Sequence, residues 1–417
     1  MKIMSKVRIS LLLNFFVFAI LLNTVGIVIS QVIVDYQTSR ITAGSLEAYK
    51  DLSIVIVSFL LASYVPKFGY KRSMIVGLLA VTLASALVAA VRGFWVAPIL
   101  YAVVGSSFAL IKISVYSTVG LITSDQKEHA GLMNTLEGTF MVGSLTGPLL
   151  FSLMIGWSHW NNTYWLIASL SALALVLLLV TDVEESAVHQ EADRSNFFAM
   201  FRLMKYPMVW VFVICAFLYV MIEQSFGTWL PTFNREIFSL SQAQSASFLS
   251  IFAGSIALSR FLTASLLKRF SWLLILLAYL SGALILTLFV LSQTRNPVAH
   301  SYANWYEAPT LAFAFSLVGF FLGPIYPTIC SIVLSKLEKI HHSSMTGLLI
   351  IFSALGGTSG SLIIGIVSQR LNVHNAFLFP VVPITLLALM LIPYRKLSDR
   401  FGETHQASEQ IKTINQG

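Results

Sequence analysis

Charge is scarce in this 417-residue sequence, where only 11% of the residues are Asp, Glu, Lys or Arg. A soluble domain of this length needs far more polar surface, which excludes an ordinary water-soluble fold. Cysteine is nearly absent too. Cys215 and Cys330 are the only two; both sit in apolar stretches and suit packing better than a disulfide or metal site. There is no phosphate-binding glycine loop followed by Lys and Ser or Thr, so ATP hydrolysis does not drive this chain. The eight histidines (His129, His159, His189, His300, His341, His342, His374 and His405) fall in loops, tails or span ends without zinc-ligand spacing. No metal or other cofactor is expected, and nothing marks the chain as an enzyme.

What the sequence has in abundance is apolar runs. It is 57% hydrophobic, and the runs form twelve stretches at 9–32, 46–66, 73–91, 95–122, 130–156, 163–181, 207–230, 241–266, 272–291, 308–334, 345–368 and 373–391. Each is about the 20 residues needed to cross a bilayer. No signal-peptidase site follows the first, which reads as a retained helix. An even number split six and six is the layout of a two-lobed carrier. The expected fold is an all-α integral membrane protein of twelve transmembrane helices. Its parts are a first six-helix lobe (1–181), a linker (182–206), a second six-helix lobe (207–394) and a tail (395–417). The linker opens acidic (Asp182, Glu184, Glu185, Glu191, Asp193) and turns amphipathic at Phe197, Phe198, Met200 and Phe201, a pattern for a helix lying on the inner leaflet. From Ser398 on, the polar tail is expected to be disordered.

With both termini in the cytoplasm, eighteen basic residues fall on the inner side and six on the outer, leaving Lys112 and Arg260 inside spans. That bias fits the positive-inside rule and places a multi-pass protein in the cell (inner) membrane with both ends inside. The net charge of +8 is therefore a topology signal, and nucleic acid is not an expected partner. Trp95, Trp157, Trp160, Trp165, Trp229, Trp305 and Tyr306 mark the outer interface.

The halves echo each other. AGLM at 130–133 matches TGLL at 346–349, the small-residue run at 142–148 matches that at 356–360, and Val104-Gly105 matches Val318-Gly319. The near-constant offset argues for a duplicated six-helix unit and sets Lys112 opposite Tyr326. Gly143 and Gly147, four apart, favour close helix packing, and Pro148 is expected to kink that helix.

The loop after the second stretch reads Lys67-Phe68-Gly69-Tyr70-Lys71-Arg72. It resembles the cytoplasmic signature of the major facilitator superfamily, and the likeness extends over essentially the whole chain. Gly69, Lys71 and Arg72 match; Pro66 stands where that family has an acid and Ala62 where it has the leading glycine. A second copy is Lys268-Arg269-Phe270-Ser271, with Arg260 upstream. Residues 132–143 and 323–331 resemble the fucose and sugar permease branch. There an Asn-Asp pair on the first span carries coupling; here it reads Asn23-Thr24, without the acid. Residues 143–148 also resemble the drug-antiporter signature, with Asn134 and Phe151 in place of two of its glycines. The resemblance implies alternating access, a substrate site between the lobes with spans four and five lining one half-cavity, and a cytoplasmic gate at Lys67, Gly69, Lys71 and Arg72.

Ionisable residues in spans are costly and usually face a cavity. Lys112 lies about 15 Å from the inner end of span four and Glu137 about 10 Å in on span five, at 1.5 Å per residue. They are expected to form a charge pair, either static or made and broken as the carrier switches. Glu223 is the only acid inside a span of the second half and the first candidate for proton coupling, against the alternative of a solvated vestibule acid. Asp51 has the same two readings. Arg260 reads as part of the cytoplasmic lock, with substrate contact as the alternative. Asn23, Tyr116, Asn134, Tyr219 and Tyr326 at similar depth complete a candidate solute site with Lys112 and Glu137. The expected partners are a small-molecule substrate, protons and the lipid bilayer, with the chain acting as a monomer. Proton-coupled uptake of a polar solute such as a sugar, proton-driven export of an amphipathic compound, and a transport-dead sensor all remain open at this stage.

Overall fold

The structure is a computed structural model that describes residues 2–61, 64–123, 126–182, 203–267, 269–295, 302, 304–336 and 342–414. Among these, every regular element is helical. Eleven segments are long and apolar enough to cross a membrane. The twelfth span is α3 (Arg40–Leu61), whose hydropathy is cut by Glu47, Lys50 and Asp51. The expected twelve-span, two-lobe architecture is therefore present.

Span one is α1 (Lys2–Asn23) followed by α2 (Val25–Asp35). The break lies at Asn23-Thr24, where side chains take main-chain acceptors. Asn23 Nδ2 donates to the Ala19 carbonyl at 2.8 Å and Thr24 Oγ1 to that of Ile20 at 2.9 Å. Asn and Thr compete with the helix ladder in this way. After α3, the short α4 (Val65–Phe68) turns into α5 (Tyr70–Ala90) at Gly69, whose φ of 101° favours glycine. The half closes with α6 (Val96–Ile122), α7 (Gln126–Trp157) and α8 (Thr163–Leu179). Lys71 Nζ donates to the Leu179 carbonyl at 3.3 Å, placing a cation at a helix C-terminus, where the dipole favours it.

The second half begins with α9 (Pro207–Ile237) and α10 (Gln242–Leu266), the latter opened by a Ser241–Gln244 capping box. After α11 (Trp272–Gln293), span ten is broken into α12 (Thr310–Ser316), α13 (Val318–Leu322) and α14 (Ile325–Lys336). Pro324 and Pro327 cannot donate to the ladder. Span eleven is α15 (His342–Arg370); α16 (Val373–Ala376) and α17 (Val381–Ile414) complete the chain. The expected interfacial helix of the linker lies outside the described residues, as does Lys268. The tail corrects an expectation: α17 runs on to Ile414 where disorder was expected from Ser398. After Pro393 no proline interrupts it, and Glu, Gln, Ala and Lys carry it forward.

Within the first half α5 packs on α6 and α8, and α1 on α7; within the second, α9 packs on α15 and α17. The halves meet along α2–α9, α3–α15 and α7–α10. Lipid offers no hydrophobic drive between helices, so small residues that let backbones approach do much of the joining. A Cβ at Gly143 would stand 2.6 Å from Ala19 Cβ and 2.7 Å from the Phe16 carbonyl; one at Gly147 would stand 2.8 Å from Thr24 Cγ2. Trp95, Trp157, Trp165, Trp305 and Tyr306 are exposed, but Trp160 and Trp229, expected at the interface, are buried. Each spends its indole N–H inside the protein, on Asp35 at 2.7 Å and on the Ser361 carbonyl at 2.9 Å.

Gly143→Val is expected to destabilise the protein by about 1–3 kcal/mol through overpacking, read as a lower melting temperature in detergent. Gly156→Val, where nothing lies within 4 Å of the added carbon, is the control and is expected to shift it little.

Candidate functional site

Twelve spans put the start of α1 and the end of α17 on the same face of the bundle, here the terminal face; the opposite face is distal. On α3 the spacing of Glu47, Lys50 and Asp51 puts all three on one side of the helix. They are 1%, 3% and 6% exposed. Lys50 Nζ bonds Glu47 and lies 3.5 Å from Asp51 Oδ1. From the other half, Thr228 Oγ1 donates to Glu47 Oε2 at 3.3 Å. Gly357 of α15 leaves room for Asp51: a Cβ there would be 2.7 Å from Oδ2. Lys50, one of the six basic residues assigned to the outer side by sequence, is thus buried, and Asp51 is no solvated vestibule acid. Each is retained by the other, since a lone charge in this setting is prohibitively costly.

Distal to this cluster the halves are tied together. Arg40 donates to both oxygens of Glu236 at 3.0 and 2.9 Å. Arg235 Nη1 donates to the Ser30 carbonyl at 2.9 Å and to its hydroxyl at 3.1 Å. Ile41 N–H donates to Gln369 at 3.1 Å, and Ser361 Oγ to the Gly44 carbonyl at 3.3 Å. Both Arg40 bonds leave from Nη2, so Glu236 chelates a single guanidinium nitrogen rather than meeting a two-nitrogen fork. The distal half is sealed.

Below the seal lies a cavity of about 320 Å³ lined from both halves, with Asn23, Glu47, Glu137, Glu223, Arg260 and Tyr326 on its wall. That volume is at the small end for small-molecule sites. Its two wall segments at Asn23 and Tyr326 border the helix breaks in spans one and ten, and discontinuous helices are where carriers form sites.

Two clusters face it. In the first half, Tyr116 OH donates to Glu137 Oε1. Lys112 Nζ lies over the rings of Phe108 and Tyr116, 5.7 and 5.8 Å from their centroids. The expected Lys112–Glu137 salt bridge is absent among the described ion pairs, which extend to 4.0 Å. Tyr116 has taken the carboxylate, and the ammonium rests on aromatic faces. In the second half, Tyr219 OH donates to Glu223 Oε1 at 3.1 Å, and the Tyr219 and Tyr326 rings lie 5.4 Å apart. Tyr326 OH and Ser353 Oγ are 3.4 Å apart.

Arg260 is on this wall, rather than beside Lys67, Gly69, Lys71 and Arg72 at the terminal face. Its Nε donates to the Gly323 carbonyl at 3.0 Å, and Nη1 reaches Met141 Sδ at 3.4 Å. The cause is local. Gly323 O would normally receive the N–H four residues on, but that residue is Pro327, so the carbonyl is open to a side-chain donor.

The structure thus brings Lys112, Tyr116 and Glu137 together, and Tyr219, Glu223, Tyr326 and Arg260 together, with Asn23 between. The side chain of Asn134 lies outside the described residues. Asp51 stands apart in the buried cluster. Glu47, Lys50, Thr228, Arg40 and Glu236 were not foreseen as site residues. Only the Glu47/Lys50/Asp51 spacing inside a span carried a readable signal.

Residues 11–303 match the family model described as Major Facilitator Superfamily. Bypass of stop codon protein 6 of Saccharomyces cerevisiae is 20% identical, the match covering 93% of this chain and 82% of that protein. The glucose/mannose transporter GlcP of Bacillus subtilis is 23% identical over 80% of this chain and 84% of its own. Among solved structures, the nucleoside transporter NupG superposes with a TM-score of 0.74 at 16% identity, covering 93% of this chain and 99% of that one. A bacterial homologue of the lysosomal transporter Spinster gives 0.70 at 13% identity, covering 95% and 97%. These structures share the fold.

Lys50→Met leaves two adjacent carboxylates without their cation and is expected to cost about 3–5 kcal/mol, read as a lower melting temperature. Adding Glu47→Gln and Asp51→Asn to that variant is expected to restore most of it. Arg40→Glu is expected to open the distal seal, read as faster thiol labelling of a cysteine placed at Ser361 in a chain lacking Cys215 and Cys330. Combining it with Glu236→Arg should slow labelling again.

Proposed function

We propose a secondary carrier function for this chain, which belongs to the major facilitator superfamily: proton-coupled uptake of a small polar organic solute, such as a sugar, by alternating access. The observation that carries this reading is the cavity between the halves, sealed distally and walled by two Tyr–Glu pairs. The curated relatives named as glucose/mannose and glucose/galactose transporters support a sugar-like solute. The carrier sits in the cell's inner membrane with the terminal face in the cytoplasm, so the sealed distal half makes this the inward-facing state. Residues 1–181 and 207–394 are the rocking lobes, joined by 182–206.

Solute is held by Asn23, Tyr116, Asn134, Tyr219 and Tyr326, with Lys112 and Glu137 beside it. Glu223 and Glu137 exchange protons: each carboxylate is held by one tyrosine hydroxyl and has no ion pair within 4.0 Å among the described residues, which leaves room for a proton. Asp51 is the third candidate, reached only when the distal half opens. Lys67, Gly69, Lys71 and Arg72 close the cytoplasmic face in the opposite state. Proton-driven export of an amphipathic compound is the second reading, and the apolar part of the wall, Phe140, Phe252 and Ile256, favours it.

In proteoliposomes with an imposed pH gradient, accumulation of a labelled sugar-like solute down the proton gradient is expected, and extrusion of an amphipathic dye instead would establish the second reading. Glu223→Gln is expected to lose gradient-driven accumulation while keeping solute exchange. Unchanged accumulation would remove Glu223 from the coupling path.

A further inference from the structure

Arg260 lines the cavity, Lys112 lies behind its Glu137 wall against Tyr116, and neither has a carboxylate within 4.0 Å among the described ion pairs. Arg260 commits Nε to a carbonyl and Nη1 to a thioether sulfur, and its guanidinium also meets the Tyr219 hydroxyl that donates to Glu223. Among the described residues, the contacts of the Lys112 ammonium are the ring faces of Phe108 and Tyr116. Glu137 and Glu223 are within electrostatic reach of Lys112 and Arg260 respectively. Yet both acids are turned onto tyrosine hydroxyls, and neither forms an ion pair within 4.0 Å among the described residues. A protein that buries cations at membrane depth normally pairs them. Here the near acids are occupied by tyrosines, which leaves the Lys112 ammonium and the remaining N–H groups of Arg260 for something else.

The two cations also converge. Arg260 touches Met141, and Lys112 lies over the ring of Tyr116, whose hydroxyl bonds Glu137, one helical turn (about 5.4 Å) from Met141 on α7. On the facing wall, Tyr326 lines the cavity with Arg260. Lys112 and Arg260 therefore approach the cleft from opposite halves at neighbouring depths. A guanidinium carries five N–H donors, so Arg260 keeps some of them for a carboxylate beside its bonds to Gly323 and Met141. Hydroxyl-binding groups stand on the same wall: Asn23, Gln224 and Thr228.

We propose that the solute is a hydroxylated carboxylate, a sugar acid, whose carboxylate is held by Arg260 with Lys112 on the opposite side, while Asn23, Gln224 and Thr228 take its hydroxyls. This rests on the polar-solute reading and narrows it by charge. Because Arg260 and Lys112 belong to different halves, the anion bridges the lobes, which a neutral sugar of the same shape does not do electrostatically.

The test is equilibrium binding to the purified full chain in nanodiscs by isothermal titration. The probes are D-glucuronate, D-galacturonate and D-gluconate against D-glucose, D-galactose and D-glucuronamide, the last matching glucuronate in shape without its charge. At least one acid is expected to bind tenfold or more tightly than its neutral match, a difference of about 1.4 kcal/mol. Arg260→Gln and Lys112→Gln are each expected to bring that ratio towards one, and Arg260→Lys to retain part of it. If the neutral sugars bind as well as the acids or better, the carboxylate inference is overturned and the polar-solute reading stands. If all six fail and an amphipathic cation such as tetraphenylphosphonium binds, both fall; if no probe binds at all, the inference is likewise overturned. The wild-type comparison alone decides the matter should a variant fail to fold.

Discussion

In a bilayer no water is at hand to answer a charge or an unpaired main-chain group, so every such group must be answered from within the protein. The arrangement of this molecule follows from that constraint. Three charges on α3 answer one another. The break in span one is covered by the side chains of Asn23 and Thr24. The break in span ten is covered by Arg260, brought in from α10. The latter two breaks border the cavity, so the places where regular helix fails are also the places where polar groups become available to a solute.

The distal seal and the cavity are physically continuous. Glu47 belongs to the buried charge cluster and also lines the cavity, and Thr228 of the opposite half bonds it. Opening the distal side means parting α3 from α15 and α2 from α9, which breaks the Arg40–Glu236 pair at the rim and exposes Glu47 and Asp51 to water. The closed state is kept by directional polar contacts at a close-packed, glycine-lined interface. Such interfaces have discrete alternatives rather than a continuum of positions.

The architecture was legible because apolar run length is a coarse and robust signal. Even α3, too polar by hydropathy, was identified as a span from its length and position. The candidate residues in the cavity were legible as polar outliers within spans. Their pairings were not. Lys112 and Glu137 were read as partners by charge, whereas Tyr116, four residues from Lys112, intercepts the carboxylate. Trp160 and Trp229 were read as interfacial by type, though each has a private hydrogen-bond partner inside. Arg260 was read by its distance from the helix end. The clue to its true place was the Pro327 four residues beyond Gly323, which leaves a main-chain acceptor open. Contacts across the halves, such as Arg40–Glu236, join residues 196 positions apart, and no local pattern announces them.

The tether between Arg260 and Gly323 has a consequence for how this family member diversifies. Because a main-chain oxygen anchors Nε, that anchor for the guanidinium's height in the cleft persists whichever side chains surround it. Mutation of the surrounding wall can reshape the contour presented to a solute while the positive pole keeps the main-chain acceptor that Pro327 leaves open.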